Sequence, residues 1–307
     1  MKKIIFAFLF STLSICSFGQ NIKSIANGGI EAKCNEKYPM GKPLIMLEHD
    51  RVENRSFYLC RTSYAVQFDP MYKTPLWSAE NLTADRISGS KEPRTDDFQA
   101  DPQVPQPAQA SLNDYKGSRF DRGHMAPAAD MRVQDGKGLD GTQSMSESFY
   151  LTNMVPQVGM NNNRGIWSDL EGQVRGWAVH RGQVLVVTGP VFVKGYQSIG
   201  SSRVAIPTYL YKVILDPKKM ESIAFLIPNQ QIVTRRSHTL DKGNPQFAQT
   251  LPNAAINCGS QCSIANFAVP VLKVEQMTGI KFFSAIPESQ RIKLISNINI
   301  NAWNMHD

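Results

Sequence analysis

Three β-branched and aromatic runs, each stopped at a proline, constrain this chain more than any other feature. Gln183 to Thr188 ends in Gly189-Pro190, Thr208 to Leu215 in Asp216-Pro217, and Ile223 to Ile227 in Pro228-Asn229. Such residues fit a pleated, half-buried surface. Proline cannot donate to an interior ladder, so each run reads as a strand with a defined end. Upstream, Phe57 to Phe68 reads as one strand, broken by Asp69-Pro70, and Thr74 to Leu82 as the next, giving a hairpin. Helical period is clearest from Gly165 to Val179, where Ile166, Leu170, Val174 and Trp177 recur at spacings of four, four and three. A second helix is expected from Val271 to Thr278, closed by Gly279. Glu147 to Met154 is apolar enough for a short buried segment. Strands in runs with few helices predict an α+β fold built on a mixed, mainly antiparallel sheet.

The first residues stand apart from this pattern. Met1-Lys2-Lys3 is basic, Ile4 to Phe10 is continuously apolar, and Ser17-Phe18-Gly19 offers small residues where a signal peptidase reads. The apolar run falls short of the roughly 20 residues a membrane helix needs. A lipoprotein anchor at Cys16 would want a small residue where Ile15 stands. Residues 1–19 therefore read as a signal peptide, 20–45 as a polar N-terminal extension, and 46–307 as one domain. This predicts a secreted or periplasmic protein. The formal charge is +7, and losing Lys2 and Lys3 leaves +5. That suits a polyanionic partner without requiring one. Four cysteines remain after Cys16: Cys34, Cys60, Cys258 and Cys262. The short Cys258-Gly-Ser-Gln-Cys262 spacing favours a local disulfide, which leaves Cys34 with Cys60. A metal pair at Cys258 and Cys262 is the alternative.

Residues 84–118 are dense in Asp, Pro, Gln, Ser and Lys and carry no apolar period. A stretch of that length inside a compact domain is functional or mobile. It leads into Phe120-Asp121-Arg122-Gly123-His124-Met125. Here Gly123 reads as the hinge of a tight turn that presents His124, with Asp121 and Arg122 fixing the turn. An imidazole with an ordinary pKa near 6.5 is suited to take a proton from water. Downstream, Asn163 offers a hard neutral oxygen of the kind Mg²⁺ accepts. Glu171 lies eight helical steps on, about 80° round the axis and two turns along, placed to hold a metal-bound water. The bland readings are a solvated turn for His124, a helix N-cap for Asn163 and a solvated face for Glu171. The Asn161-Asn162-Asn163 run leaves the ligand open by one position. His49, His180, His238 and His306 lie outside any such pattern. Neither a Gly-x-Ser-x-Gly elbow nor a P-loop is present, so serine hydrolysis and nucleoside-triphosphate hydrolysis have no support.

The ordered set F-D-R-G-H-M, then Asn153-Met-Val-Pro-Gln, then Asn163-Arg-Gly-Ile-Trp-Ser-Asp-Leu-Glu171 resembles the DNA/RNA non-specific endonuclease family of ββα-metal (His-Me finger) nucleases. Thr74-Pro75-Leu76-Trp77, Thr188-Gly189-Pro190-Val191-Phe192, Ile206-Pro207 with Tyr211-Lys212-Val213, and Phe225-Leu226-Ile227-Pro228-Asn229 extend the resemblance over about residues 45 to 290. It implies that a ββα-metal finger carries the active site. It implies His124 as general base, Asn163 as the direct Mg²⁺ ligand, and Glu171 as a holder of metal-bound water. Arg122 would stand near the phosphate or the metal's hydration shell, and Asn153 would support the active-site loop. Arg94 matches the arginine that faces the scissile phosphate, with Arg86 as the alternative. Arg175 would contact phosphate or pair with Glu171. One departure is visible: the family places the metal asparagine nine residues after that of N-x-x-P-Q, a count that reaches Asn162. Counting back from Trp167 and Glu171 selects Asn163, with Asn162 as second choice.

The resemblance thus implies an exported Mg²⁺-dependent (or Mn²⁺-dependent) nuclease. It would cut DNA and RNA by in-line attack of water, leaving 5′-phosphate and 3′-hydroxyl ends. A secreted nucleic-acid-binding protein of the same fold without turnover is the second reading. The joint presence of the histidine, asparagine and glutamate argues against it.

Overall fold

The computed structural model describes residues 34–46, 55–89, 91–131, 141–232 and 262–305. In chain order the first strands are β1 (Leu44–Ile45), β2 (Phe57–Cys60), β3 (Tyr64–Asp69), β4 (Thr74–Thr83), β5 (Phe120–His124) and β6 (Met154–Val158). The later ones are β7 (Gln183–Val191), β8 (Ser198–Ile199), β9 (Val204–Ala205), β10 (Tyr209–Asp216), β11 (Glu221–Pro228), β12 (Ala268–Val269) and β13 (Ile280–Lys281). The helices used below are α1 (Ala84–Ser88), α2 (Leu112–Tyr115), α3 (Ala128–Met131), α4 (Gly141–Ser148), α5 (Trp167–Arg181), α6 (Val271–Thr278) and α7 (Glu288–Ser296).

Seven strands form one antiparallel sheet in the order β12-β11-β10-β7-β4-β3-β2. The three proline-marked runs are its adjacent members β7, β10 and β11, but β7 does not stop at Gly189-Pro190: it continues to Val191, with Pro190 opposite Leu210. Both faces are covered, so the central strands are apolar on both sides of the pleat. Tyr211, Val213 and Leu215 face a cluster completed by Val271, Val274 and Ile295 of α6 and α7. Leu210 and Ile214 face a second cluster completed by Trp167, Leu170, Val174 and Trp177 of α5. Each such side chain, once buried, contributes about 1.5–3 kcal/mol. The result is three layers, with α5 pinned by its apolar stripe beneath the second face. The α+β expectation holds, and α6 spans the expected residues with Gly279 left-handed at φ 67°.

Two local expectations change. The run from Phe57 to Phe68 is two strands rather than one. The chain reverses at Arg61-Thr62-Ser63, where the Arg61 amide donates to the Tyr64 carbonyl at 2.8 Å, and β2 folds back on β3. Residues 84–118 include α1, a 3-10 turn at Gln106–Ala108 and α2, and are otherwise irregular. The Cys34–Cys60 disulfide is present. Cys262 is itself disulfide-bonded, which removes it as a metal ligand, while Cys258 lies outside the described residues. The candidate signal segment also lies outside them, as do His49, His238 and His306. Among the described residues no helix is long and apolar enough to cross a membrane.

Candidate active site

The F-D-R-G-H segment is a strand, not a turn. β5 pairs antiparallel with β6, with Gly123 opposite Val155 and His124 opposite Met154. Gly123 is needed for a different reason from the one its sequence suggests. A Cβ there would lie 2.1 Å from Gln157 Oε1 and 2.6 Å from Gln157 Cβ, so the glycine makes room for a side chain crossing from β6. β5, β6 and the following α5 form the ββα unit.

Asn153 fixes the chain immediately beyond His124. Its Oδ1 accepts from the Ala126 amide at 2.9 Å, and its Nδ2 donates to the carbonyls of Ala126 and Ser148, each at 2.9 Å. The Asn153 carbonyl accepts from the Met125 amide at 3.0 Å. Ser78 of β4 donates to the same Oδ1 at 3.2 Å, tying this loop to the main sheet. Asn153 is fully buried, so these bonds form away from competing water.

His124 is buried, with its ring edge-on to Phe98 and Phe149 at centroid distances of 5.5 and 5.0 Å. One side of the ring is held by a hydrogen bond to the Arg122 backbone. Nε2 has no hydrogen-bond partner among the described residues. Burial, followed by the positive charges of Arg94 and Arg122, pushes the imidazole pKa down to about 3. The ring is therefore neutral at ordinary pH, with a free lone pair. The two guanidiniums are themselves braced by aromatic faces. Arg122 lies 3.9 Å above the Phe98 ring and Arg94 4.9 Å above Phe149.

Residues 159–166 form an irregular turn in which Asn161 takes a left-handed φ of 60°. This turn sends two neighbouring asparagines in opposite directions. Asn162 is fully buried: it donates to the carbonyls of Pro228 and Gln230 at 2.8 and 2.7 Å and accepts from Gln157 Nε2 at 2.9 Å. Asn163 instead reaches the cleft. Its Nδ2 donates to Asp121 Oδ2 at 2.9 Å, which leaves the carbonyl end of the amide available. Asp121 also takes Arg164 through both carboxylate oxygens, at 2.8 and 2.6 Å. Gly159 lets this pair close, since a Cβ there would stand 2.6 Å from Arg164 Nη2. Asn163 is not the N-cap of α5; Ile166 holds that position.

A cleft of about 940 Å³ brings these parts together. Arg94, Arg122, His124, Asn163, Glu171 and Arg175 all line it. Arg86 does not: it is buried, donating to the carbonyls of Ser63, Asn81 and Asp130. Glu171 and Arg175 share one face of α5, yet Arg175 bonds Asp130 at 2.8 Å rather than Glu171. Burial is the main cause that raises the Glu171 carboxyl to about 7, with nearby Lys212 and Arg175 opposing it. Lys212 is itself buried, donates to Thr188 Oγ1 at 2.7 Å and lies 5.1 Å from the Trp167 ring centre. Among the described residues no three His, Cys, Asp or Glu converge to hold an ion by themselves. The donors present, a neutral amide oxygen and a carboxylate on the adjoining helix, suit a hard divalent ion that keeps most of its own water, the habit of Mg²⁺.

Sequence reasoning missed three contributors. Phe98, from a segment with no apolar period, walls the histidine together with Phe149 of the expected buried segment Glu147 to Met154. Asp121, a turn residue by its sequence, accepts from both Asn163 and Arg164. α2 and its flank also line the cleft, through Leu112, Asn113, Tyr115 and Lys116. No pattern in that short, polar stretch announces this.

Comparison with known proteins bears on this arrangement. A profile of the DNA/RNA non-specific endonuclease family matches residues 45–289. The chain is 34% identical over 239 residues to the mitochondrial nuclease EXOG of Danio rerio, which spans 75% of this chain and 61% of that protein. It is 34% identical over 246 residues to nuclease C1 of Cunninghamella echinulata var. echinulata, spanning 76% and 84%. The fold is similar to a chain of the EndoG/EndoGI complex, with a TM-score of 0.60 and 28% identity over 78% of this chain and 93% of that one. Fission-yeast, budding-yeast and human relatives also carry mitochondrial names. This corrects the expectation of a secreted or periplasmic protein: EXOG, endonuclease G and the yeast nucleases that the chain matches are mitochondrial proteins by name. That expectation rested on the composition of residues 1–19, and targeting segments are read by receptors that a basic and apolar start does not by itself identify. The profile runs through both strands of the finger, α5 and the main sheet, and the chain belongs to the DNA/RNA non-specific endonuclease family.

Proposed function

We propose that this protein hydrolyses phosphodiester bonds in DNA and RNA with little sequence preference. His124 acts as the general base. Asn163 would hold a divalent ion, Mg²⁺ or Mn²⁺, with the Glu171 carboxyl beside it in the same cleft. The observation that carries the reading is a buried imidazole with a free Nε2 in the same cleft as Asn163, Glu171 and four arginines, of which Arg164 is paired with Asp121. A neutral ring with an open lone pair can take the proton of an attacking water. Arg94, Arg122 and Arg175 place positive charge where the phosphoryl oxygens gain negative charge. Asp121 positions the Asn163 amide by accepting its N–H. A bound divalent ion would supply Lewis acidity toward the phosphoryl oxygens and the leaving alkoxide. Entering phosphate also offsets the two guanidiniums that depress His124, so the base strengthens when substrate is present. By resemblance to the family, the products carry 5′-phosphate and 3′-hydroxyl ends.

Digestion of plasmid DNA and of RNA, with Mg²⁺ and with EDTA, tests the proposal. Cleavage of both polymers is expected only with the ion. His124→Ala should lower the rate by about 10²–10⁴-fold. Cutting in EDTA, or His124→Ala cutting at the wild-type rate, would overturn it.

A further inference from the structure

We infer that the surface running from the cleft wall across the β8–β9 hairpin to an aromatic cluster at the β3–β4 turn is a stacking platform for an unpaired nucleic-acid strand leaving the cleft. This extends the nucleic-acid reading above and rests on it.

The cluster consists of Tyr72, Phe192 and Tyr196. Tyr72 stacks on Phe192 with centroids 4.4 Å apart and planes 17° apart, and Tyr196 meets the two rings at 5.3 and 5.5 Å. None of the three belongs to the hydrophobic clusters of the core. Tyr196 is 43% exposed, beside Val193 at 42% and Met71 at 64%. Tyr196 leaves much of its ring open to water at the edge of this cluster, beside exposed Val193 and Met71, an exposed apolar patch of the kind that marks a binding surface.

Charge selects the partner. Residues 70–77 and 190–207 contain Lys73, Lys194 and Arg203 and no Asp or Glu. Residues 102–113, which join this surface to the cleft, also contain no Asp or Glu, and Asp101 and Asp114 at their ends are buried. These three described stretches are therefore aromatic and cationic, with no exposed carboxylate among them. A duplex keeps its base faces stacked inside, whereas an unpaired strand offers them to rings and its phosphates to lysine and arginine.

This surface is continuous with the cleft. Lys73 Nζ donates to the Pro107 carbonyl, and the Ala205 amide of β9 donates to the Tyr72 carbonyl at 3.0 Å. On the hairpin's other side the Ser202 amide donates to Asp114 Oδ1 at 2.9 Å. Gly200 packs so closely on α2 that a Cβ would lie 2.4 Å from the Asp114 Cα. Leu112, Asn113 and Lys116, on and next to α2, already line the cleft.

The test uses the full chain and two labelled oligothymidylates, one of about 30 nucleotides and one of about 6, the longer able to reach past the cleft. Binding is read by fluorescence anisotropy in EDTA and cleavage in Mg²⁺. Tyr196→Ala should weaken binding of the long strand about tenfold, the loss of roughly one stacked base. It should leave binding and cleavage of the short strand unchanged, and Tyr196→Trp should restore the long-strand affinity. Equal weakening on both lengths, or no weakening, would overturn the inference. So would a shift in molar mass by light scattering, which would make the patch a contact between copies. Should the wild type neither bind nor cut either strand, the nucleic-acid reading itself fails. Should it cut both while Tyr196→Ala is indistinguishable from it, only the platform fails.

Discussion

His124 shows how burial and charge act together on one side chain. Phe98 and Phe149 exclude water, and Arg94 and Arg122 add positive charge, so protonation of the ring is opposed twice. Removing one guanidinium must favour the imidazolium and raise the pKa. Arg94→Ala should therefore shift the acid limb of kcat/KM upward, from well below 6.5 toward that ordinary value, as read from a pH–rate profile. An unmoved limb would detach Arg94 from the base. Glu171 behaves in the opposite sense. Its folded pKa is raised from 4.5 to about 7, so the folded state binds the extra proton in that interval. Its contribution to stability is complete below pH 4.5 and lost as pH rises through 7. Glu171→Gln, permanently neutral, should stabilise the metal-free protein by ~1–3 kcal/mol at pH 8 and leave it unchanged at pH 4. Urea unfolding in EDTA at the two pH values measures this. A stability difference independent of pH would contradict the assignment.

The β5–β6 pair and the turn after it decide how finely the site is set. Gly123→Ala places a methyl group on Gln157, and overpacking of this kind costs about 1–3 kcal/mol. A lowered Tm together with lost cleavage is expected, and an unchanged Tm would show that Gln157 moves aside freely. The same element shows what a sequence conveys and what it conceals. The proline-marked runs and the apolar stripe of α5 were legible because burial on two faces leaves a period in the residues. Gly123 misled, because glycine signals both a turn and a close approach, and only the pairing with β6 tells them apart. The Phe57–Phe68 run concealed a reversal, since both arms of the hairpin are equally aromatic and β-branched. The choice between Asn162 and Asn163 depends on a left-handed Asn161, a conformation that three successive asparagines do not announce. Phe98 reaches the histidine through tertiary packing of an irregular segment, where no period exists to be read, while Phe149 belongs to a segment whose burial the sequence did convey.

At the scale of the molecule, the sheet serves as a base on which distant parts of the chain converge. Arg94 comes from an irregular loop, His124 from a strand, Asn163 from a turn and Glu171 from a helix, and one cleft receives them all. Ser78 and Lys212 extend from the main sheet toward that cleft, one bonded to Asn153 and the other beneath Trp167. The central claim is that this convergence builds a one-metal hydrolytic centre. Anomalous diffraction from crystals soaked in Mn²⁺ tests it most directly. A single peak bonded to Asn163 Oδ1, inside the cleft and absent from Asn163→Ala crystals, is the predicted result. A peak on Asn162, or an ion bound away from His124 while Asn163 stays free, would contradict the account.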